Sequence, residues 1–206
     1  LEWLSLEKSK INDISALRGL PIRHLDLTLS KVADLEPIFD TVSLETLLAN
    51  HIRLVEFRPS PKWKALKRLS IHGASVDGPS LLGFPNLEWL DVSRTDLQDF
   101  SFLRELNGLK GLGLEYTSFG NLQDIAHLNS LEYLNIRDTA PTNGLELLAG
   151  MPLKDLRLFG KRFADLSPLG ELSMLQRLEI YVDRFADFGP MVQRLTNLDR
   201  LLIAGA

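Results

Sequence analysis

The 206-residue chain is 45% hydrophobic and 24% charged, the proportions of a soluble globular protein long enough to bury a sizeable core. Its 23 basic and 27 acidic residues leave a net charge of −4, without the positive excess that neutralising phosphates requires, so nucleic acid is not expected as a partner. No apolar run approaches the roughly 18 to 20 residues of a membrane span, and the absence of cysteine excludes disulfides and thiolate metal sites.

In chain order, one pattern returns from end to end. Segments beginning at Leu1, Ile22, Leu44, Leu66, Leu87, Leu109, Leu131, Leu153, Leu175 and Leu198 follow one another at intervals of 21 to 23 residues, the mark of a repeat architecture. Each opens with LxxLxL or a near variant, from LEWLSL (1–6) through LEWLDV (87–92) to LDRLLI (198–203), and only LETLLA (44–49) fits poorly. The alternation in LxL predicts a strand with one buried side. It is too short to bury that side alone, so neighbouring repeats must stack, and ten such strands predict one parallel sheet.

Further apolar residues recur at fixed offsets, as in Phe163, Leu166, Leu169 and Leu172, then Phe185, Phe188, Val192 and Leu195. Between strands lie DISALRGL (13–20), DLEPIFDT (34–41), DFSFLREL (99–106), DLSPLGEL (165–172) and DFGPMVQR (187–194). An Asp able to accept backbone N–H groups, followed in several by Pro, predicts a short capped helix or 3₁₀ turn. Two repeats depart from this. RLVEFRPSPKWKA (53–65) replaces the turn with two prolines and is read as an extended segment with Trp63 inward, or as a basic docking loop through Arg58, Lys62 and Lys64. TAPTNGLELLAG (139–150) carries Pro and an Asn-Gly turn. Neither end has the polar terminal repeat that solenoids need, so residues 1–206 are expected to be a single array taken from a longer chain.

These motifs resemble the leucine-rich repeat family over the whole chain, and the 22-residue period with DISxL and DLSPL turns is most similar to its bacterial internalin-like class. The resemblance implies an α/β solenoid: a leucine-rich repeat horseshoe with about ten short parallel strands on the concave face and short helices or 3₁₀ turns on the convex side. It also implies protein binding in a bacterial setting, either host binding or toxin immunity. The chain departs from the family at the ninth repeat position, usually Asn or Cys, where it carries Ser9, Ser30, Ala74, Thr95, Thr117, Thr139, Lys161 and Asp183. A hydroxyl can replace part of the missing hydrogen bonding; Ala and Lys cannot.

Strand alternation points the leucines inward and the intervening residues outward. The third column of the repeat reads Trp3, His24, Thr46, Arg68, Trp89, Gly111, Tyr133, Asp155, Arg177 and Arg200. The fifth includes Asp91, Gly113, Arg157 and Glu179, and the seventh Glu115, Arg137, Phe159 and Tyr181. The candidate protein-binding set on this outer face is therefore Trp89, Asp91, Arg94, Glu115, Tyr116, Tyr133, Arg137, Asp138, Arg157, Phe159 and Tyr181. Aromatics and arginine are the types enriched at binding hot spots; the competing reading is an ordinary cross-strand ladder. Gly111 and Gly113 are expected to leave a bare spot for a partner's backbone, and Trp89, Asp91 and Arg94 are expected to be dispensable to the fold.

Chemistry is sparse. His24, Asp26, His51 and His72 fall on neighbouring repeats but in different columns and without HxH or HExxH spacing, so no metal is expected. No GxSxG, phosphate loop or cysteine nucleophile occurs, and carboxylates such as Asp91 and Glu115 have no enclosing pocket. The expectation is a non-enzymatic protein-interaction module without cofactor or small-molecule substrate, cytoplasmic, with secretion or a bacterial surface as the other placement. The alternative is the recognition part of a larger enzyme or effector.

Overall fold

The computed structural model describes residues 1–54, 57–141, 144–159, 163, 165–181 and 189–204. Ten strands, β1 (Trp3–Ser5), β2 (His24–Asp26), β3 (Thr46–Leu48), β4 (Arg68–Ser70), β5 (Trp89–Asp91), β6 (Gly111–Gly113), β7 (Tyr133–Ile136), β8 (Asp155–Leu158), β9 (Arg177–Tyr181) and β10 (Arg200–Ala204), form one sheet in sequence order. Every pairing is parallel, and each residue faces its repeat equivalent, as Leu90 faces Leu112 and Leu112 faces Leu134. This is the leucine-rich repeat solenoid that the periodicity predicts.

The ladder extends beyond the strands. Before each one, a carbonyl accepts from two N–H groups of the next repeat, as Glu88 accepts from Lys110 and Gly111. After it, the N–H of the eighth repeat residue donates to the next repeat, as Arg94 does to Glu115 at 2.8 Å. Inside, the fourth-position leucines from Leu25 to Leu178 are at most 1% exposed. Full burial of such a side chain is worth about 1.5 to 3 kcal/mol. Leu201 holds the same position on β10, has a strand on one side only, and is 37% exposed.

The return turns are mostly 3₁₀, at Ser15–Leu17, Glu36–Ile38, Gly78–Gly83, Ser101–Glu105, Leu122–Asp124, Leu145–Leu148 and Ser167–Glu171, with one α-helix, α1 (Gly189–Arg194). Asp13, Asp34, Asp99 and Asp165 each accept the N–H two residues ahead at 2.7 to 2.8 Å; each stands one place before the N-cap and closes an Asx turn that satisfies the first N–H of the 3₁₀ turn. The backbone N–H groups of Ser15, Ser101 and Ser167 hold the carboxyls of Asp13, Asp99 and Asp165 below their ordinary range.

At the ninth position the hydroxyls do replace part of the family's asparagine. Thr95, Thr117 and Thr139 are buried and each donates at 2.6 Å to the carbonyl three residues back. Ala74 is buried without such a group; Lys161, Asp183, Phe185 and Phe188 lie outside the described residues. Trp63 is fully buried, and its indole N–H donates to the Ile38 carbonyl at 3.0 Å. The extended reading of repeat three therefore holds. Two cations of the basic-loop alternative are engaged locally, Lys62 with Asp40 and Lys64 with the Gly83 carbonyl. In repeat seven, Thr142 and Asn143 lie outside the described residues, while Gly144 adopts a left-handed φ of 87°.

Thr117→Val keeps the volume but removes the donor to Leu114, and should cost about 1 kcal/mol, read as a lower urea midpoint with unchanged slope.

Candidate functional site

The centre of the candidate face is built around two glycines. Gly111 follows Trp89 in the third column, and a Cβ there would overlap the Trp89 ring. The indole therefore crosses β6 and stacks on Tyr133 of β7, ring centroids 4.8 Å apart and planes inclined by 25°. The Arg68 guanidinium lies 4.2 Å from the Trp89 ring centre and that of Arg157 lies 5.5 Å from Tyr133. The result is a ladder of cation, indole, phenol and cation from β4 to β8, each contact within the range of a favourable cation–π or aromatic pair. Burial pushes the Tyr133 hydroxyl upward in pKa.

The expected bare spot is therefore absent. Gly111 and Gly113 are both buried, the first beneath Trp89 and the second against the Asp91 carboxylate, whose Oδ1 would sit 2.6 Å from a Cβ at 113. Their missing side chains admit neighbours of the same chain. The expectation that Asp91 is dispensable also fails. Its Oδ1 accepts the Ser93 N–H at 2.9 Å, the bond that Asp26 and Asn135 make from the same repeat position.

A second cluster centres on Arg137. It donates to Glu115 at 2.5 Å, to Glu179 at 3.0 Å and to the Tyr181 hydroxyl at 3.3 Å. Asn135 donates to Glu115 at 2.9 Å, and Phe159 stacks on Tyr181 at 5.4 Å. Burial alone would lower the Arg137 pKa, but the carboxylates of Glu115 and Glu179 outweigh it and hold the guanidinium charged. Burial would likewise raise Glu115, yet the bonds from Asn135 and Arg137 keep it below the ordinary carboxylate range.

Arg94, Tyr116 and Asp138 occupy the eighth repeat position, which the sequence reading did not single out as a backbone feature. They share left-handed φ values of 56°, 53° and 54°, as do Lys8, Leu29 and His51, with Gly73 in the same place. Such a backbone costs a residue with a Cβ roughly 1 to 2 kcal/mol, and inter-repeat bonds from the N–H groups of Lys8, Leu29, His51, Arg94 and Tyr116 hold those residues there. The readable signal was the glycine at 73. Arg94 and Tyr116 form a pair on this rim, the guanidinium 4.0 Å from the ring centre. Asp138 lies 3.8 Å from Arg137. All eleven candidate residues thus fall on the sheet face or its rim, in two clusters and one pair.

A charge pattern that the reading missed runs before the strands. The second repeat residues are Glu2, Arg23, Glu45, Lys67, Glu88, Lys110, Glu132 and Lys154, and they pair across repeats: Arg23 and Lys67 with Glu45, Lys110 with Glu88, Lys154 with Glu132. Strict alternation at the repeat interval was its signal. His24 meets Thr46, and the ring of His51 lies tilted by 43° against that of His72, centroids 4.3 Å apart; among the described residues no group of three or more His, Cys, Asp or Glu could hold a metal ion. No helix among the described residues is long and apolar enough to cross a membrane.

No protein-family model and no curated protein matches the chain. Among solved structures, an internalin, InlF, from Listeria monocytogenes superposes with a TM-score of 0.75 at 21% identity, over 100% of this chain and 63% of that one. The present chain thus spans less than two thirds of that internalin. The Arabidopsis receptor kinase HAESA, in complex with the peptide hormone IDA and the co-receptor SERK1, superposes with a TM-score of 0.70 at 19% identity, over 100% of this chain and 38% of that one. A TLR13–ssRNA13 complex gives 0.59 at 19% identity, over 98% and 34%. These likenesses establish the leucine-rich repeat fold, of the kind seen in internalins.

Gly111→Ala should drive Trp89 off Tyr133 at a cost of about 1 to 3 kcal/mol, seen as a lost aromatic band in near-ultraviolet circular dichroism. Because Glu115 titrates lower in the folded chain than the roughly 4.3 of an unperturbed Glu, its stabilisation is present above that pH and lost as pH falls through the folded value. Glu115→Gln should therefore flatten the acid limb of a stability profile, measured by urea melts at successive pH values.

Proposed function

We propose that this leucine-rich repeat chain is a non-catalytic recognition module that grips a protein partner on its concave sheet face, with Trp89 and Tyr133 as anchors. The observation that carries this reading is the Trp89–Tyr133 stack held between Arg68 and Arg157. An aromatic pair already fixed in position loses little conformational entropy when a partner lands on it, and Trp, Tyr and Arg are the residues from which interface hot spots are made. The cross-strand ladder and the binding patch are here one arrangement, since the ladder is what makes the patch rigid.

HAESA, solved in complex with a peptide hormone and a co-receptor, supports a protein or peptide as the ligand class. The TLR13–ssRNA13 complex means that the fold alone does not exclude nucleic acid; the argument against it here is the net charge of −4 and the acidic residues on the face. The reading extends to the bacterial settings that the resemblance implies, host binding or toxin immunity, in which a curved face closes on a folded protein.

The test is capture of partners on immobilised chain, followed by mass spectrometry, with wild type and a Trp89→Ala, Tyr133→Ala variant side by side. A partner bound by wild type should lose about 2 kcal/mol, some thirtyfold in affinity, on the variant. Equal affinity for a variant whose far-ultraviolet circular dichroism and urea midpoint show an intact fold would sink the proposal.

A further inference from the structure

The four outward columns of the sheet keep like charges apart, with one exception. At the second, third, fifth and seventh repeat positions, neighbouring repeats pair opposite charges, or a charge with a neutral residue, everywhere except at Arg177 and Arg200. These two face each other in register on β9 and β10. Adjacent parallel strands lie about 4.8 Å apart, and like charges directly opposite on neighbouring strands are destabilising. Both side chains are exposed. Among the described residues neither has an ion-pair or hydrogen-bond partner, although every other third-column charge has one or lies over a ring. Asp155, the register neighbour of Arg177, is held by Arg157 at 3.3 Å. Glu179 is held by Arg137 and Arg157.

Beside the two arginines is a recess of about 90 Å³ lined by Asp155, Arg157, Arg177, Glu179, Arg200 and Leu202. It is far below the roughly 300 Å³ at which small-molecule sites begin, and matches one carboxyl-bearing side chain. Leu202, 49% exposed, supplies an apolar wall next to the cations. We infer that Arg177 and Arg200 form an acid-reading subsite: an Asp or Glu side chain of a bound polypeptide is clamped between the two guanidiniums, with an apolar neighbour of that residue on Leu202. The anion turns an uncompensated repulsion into a charge-assisted bridge. This inference rests on the protein-binding reading and gives the partner a chemistry, an acidic segment laid across β8 to β10.

A polypeptide is favoured over RNA because Leu202 gives the recess an apolar wall, which an apolar side chain next to the carboxylate covers and a sugar-phosphate backbone does not. The test uses the full chain and fluorescence polarisation at low ionic strength, with labelled octaglutamate, octaglutamine and oligouridylate as probes, against wild type, an Arg177→Gln, Arg200→Gln variant and the Trp89→Ala variant. Octaglutamate should bind wild type at least about tenfold more tightly than octaglutamine, and the double arginine variant should lose that preference. The double variant should also melt higher than wild type, since the repulsion is gone, and this reports directly on its fold. Octaglutamate binding no better than octaglutamine, binding unchanged in the double variant, or oligouridylate binding more tightly than octaglutamate would each overturn the inference. Trp89→Ala leaves these two arginines in place, so a partner that ignores Trp89 while octaglutamate still depends on Arg177 and Arg200 would defeat the anchor proposal and not this one.

Discussion

A strand of three residues buries one leucine on its inner side, and no such strand stays folded by itself. What makes each repeat hold is the repeat on either side, which covers the leucines of the first, fourth and sixth positions and receives the N–H groups of the strand and its flanks. Because every repeat must meet its neighbour in one register, each outward position becomes a column. Whatever a column contains is placed about 4.8 Å from its equivalents.

That spacing governs what the face can do. Side chains in neighbouring repeats touch whether or not they have a function, so a residue type repeated at the period produces a ladder. The alternation of acidic and basic residues before the strands forms exposed ion pairs, which solvent screens. Their collective effect is on register and solubility more than on stability. On the open face the same geometry makes stacks. Trp89 reaches Tyr133 only because β6 carries no side chain at Gly111, and Arg137 meets three neighbours because Glu115 and Tyr181 share its column and Glu179 lies in the one beside it. A surface fixed in this way is a poor substrate pocket and a good docking platform, since little of it must be ordered on contact.

Much of this was legible beforehand, and the reason is periodicity. The ten strand positions, the inward leucines, the Asp-led turns and the hydroxyl substitution at the ninth position all follow from residues recurring at one interval, and the structure has each of them. The candidate face residues were also readable, because strand alternation sends them outward. What was misread were the contacts among them. Gly111 and Gly113 look like gaps in a column of side chains, yet one is covered by an indole and the other by a carboxylate. Asp91 looks free, yet it accepts a backbone N–H two residues ahead. The left-handed backbone at Arg94, Tyr116 and Asp138 was hidden because at this repeat position most residues carry a Cβ, and Gly73 alone among the described residues announces it; the N–H groups of Arg94 and Tyr116 are tied into the inter-repeat ladder.

The sequence by itself determined the solenoid, its register and which side chains line each column, since a period of about 22 residues with buried leucines admits one way of stacking. The tertiary structure alone decided how those columns interlock. An indole or a guanidinium is longer than the distance between strands, so its partner is chosen by the free volume two repeats away, and free volume is a property of the packed sheet that no single column records.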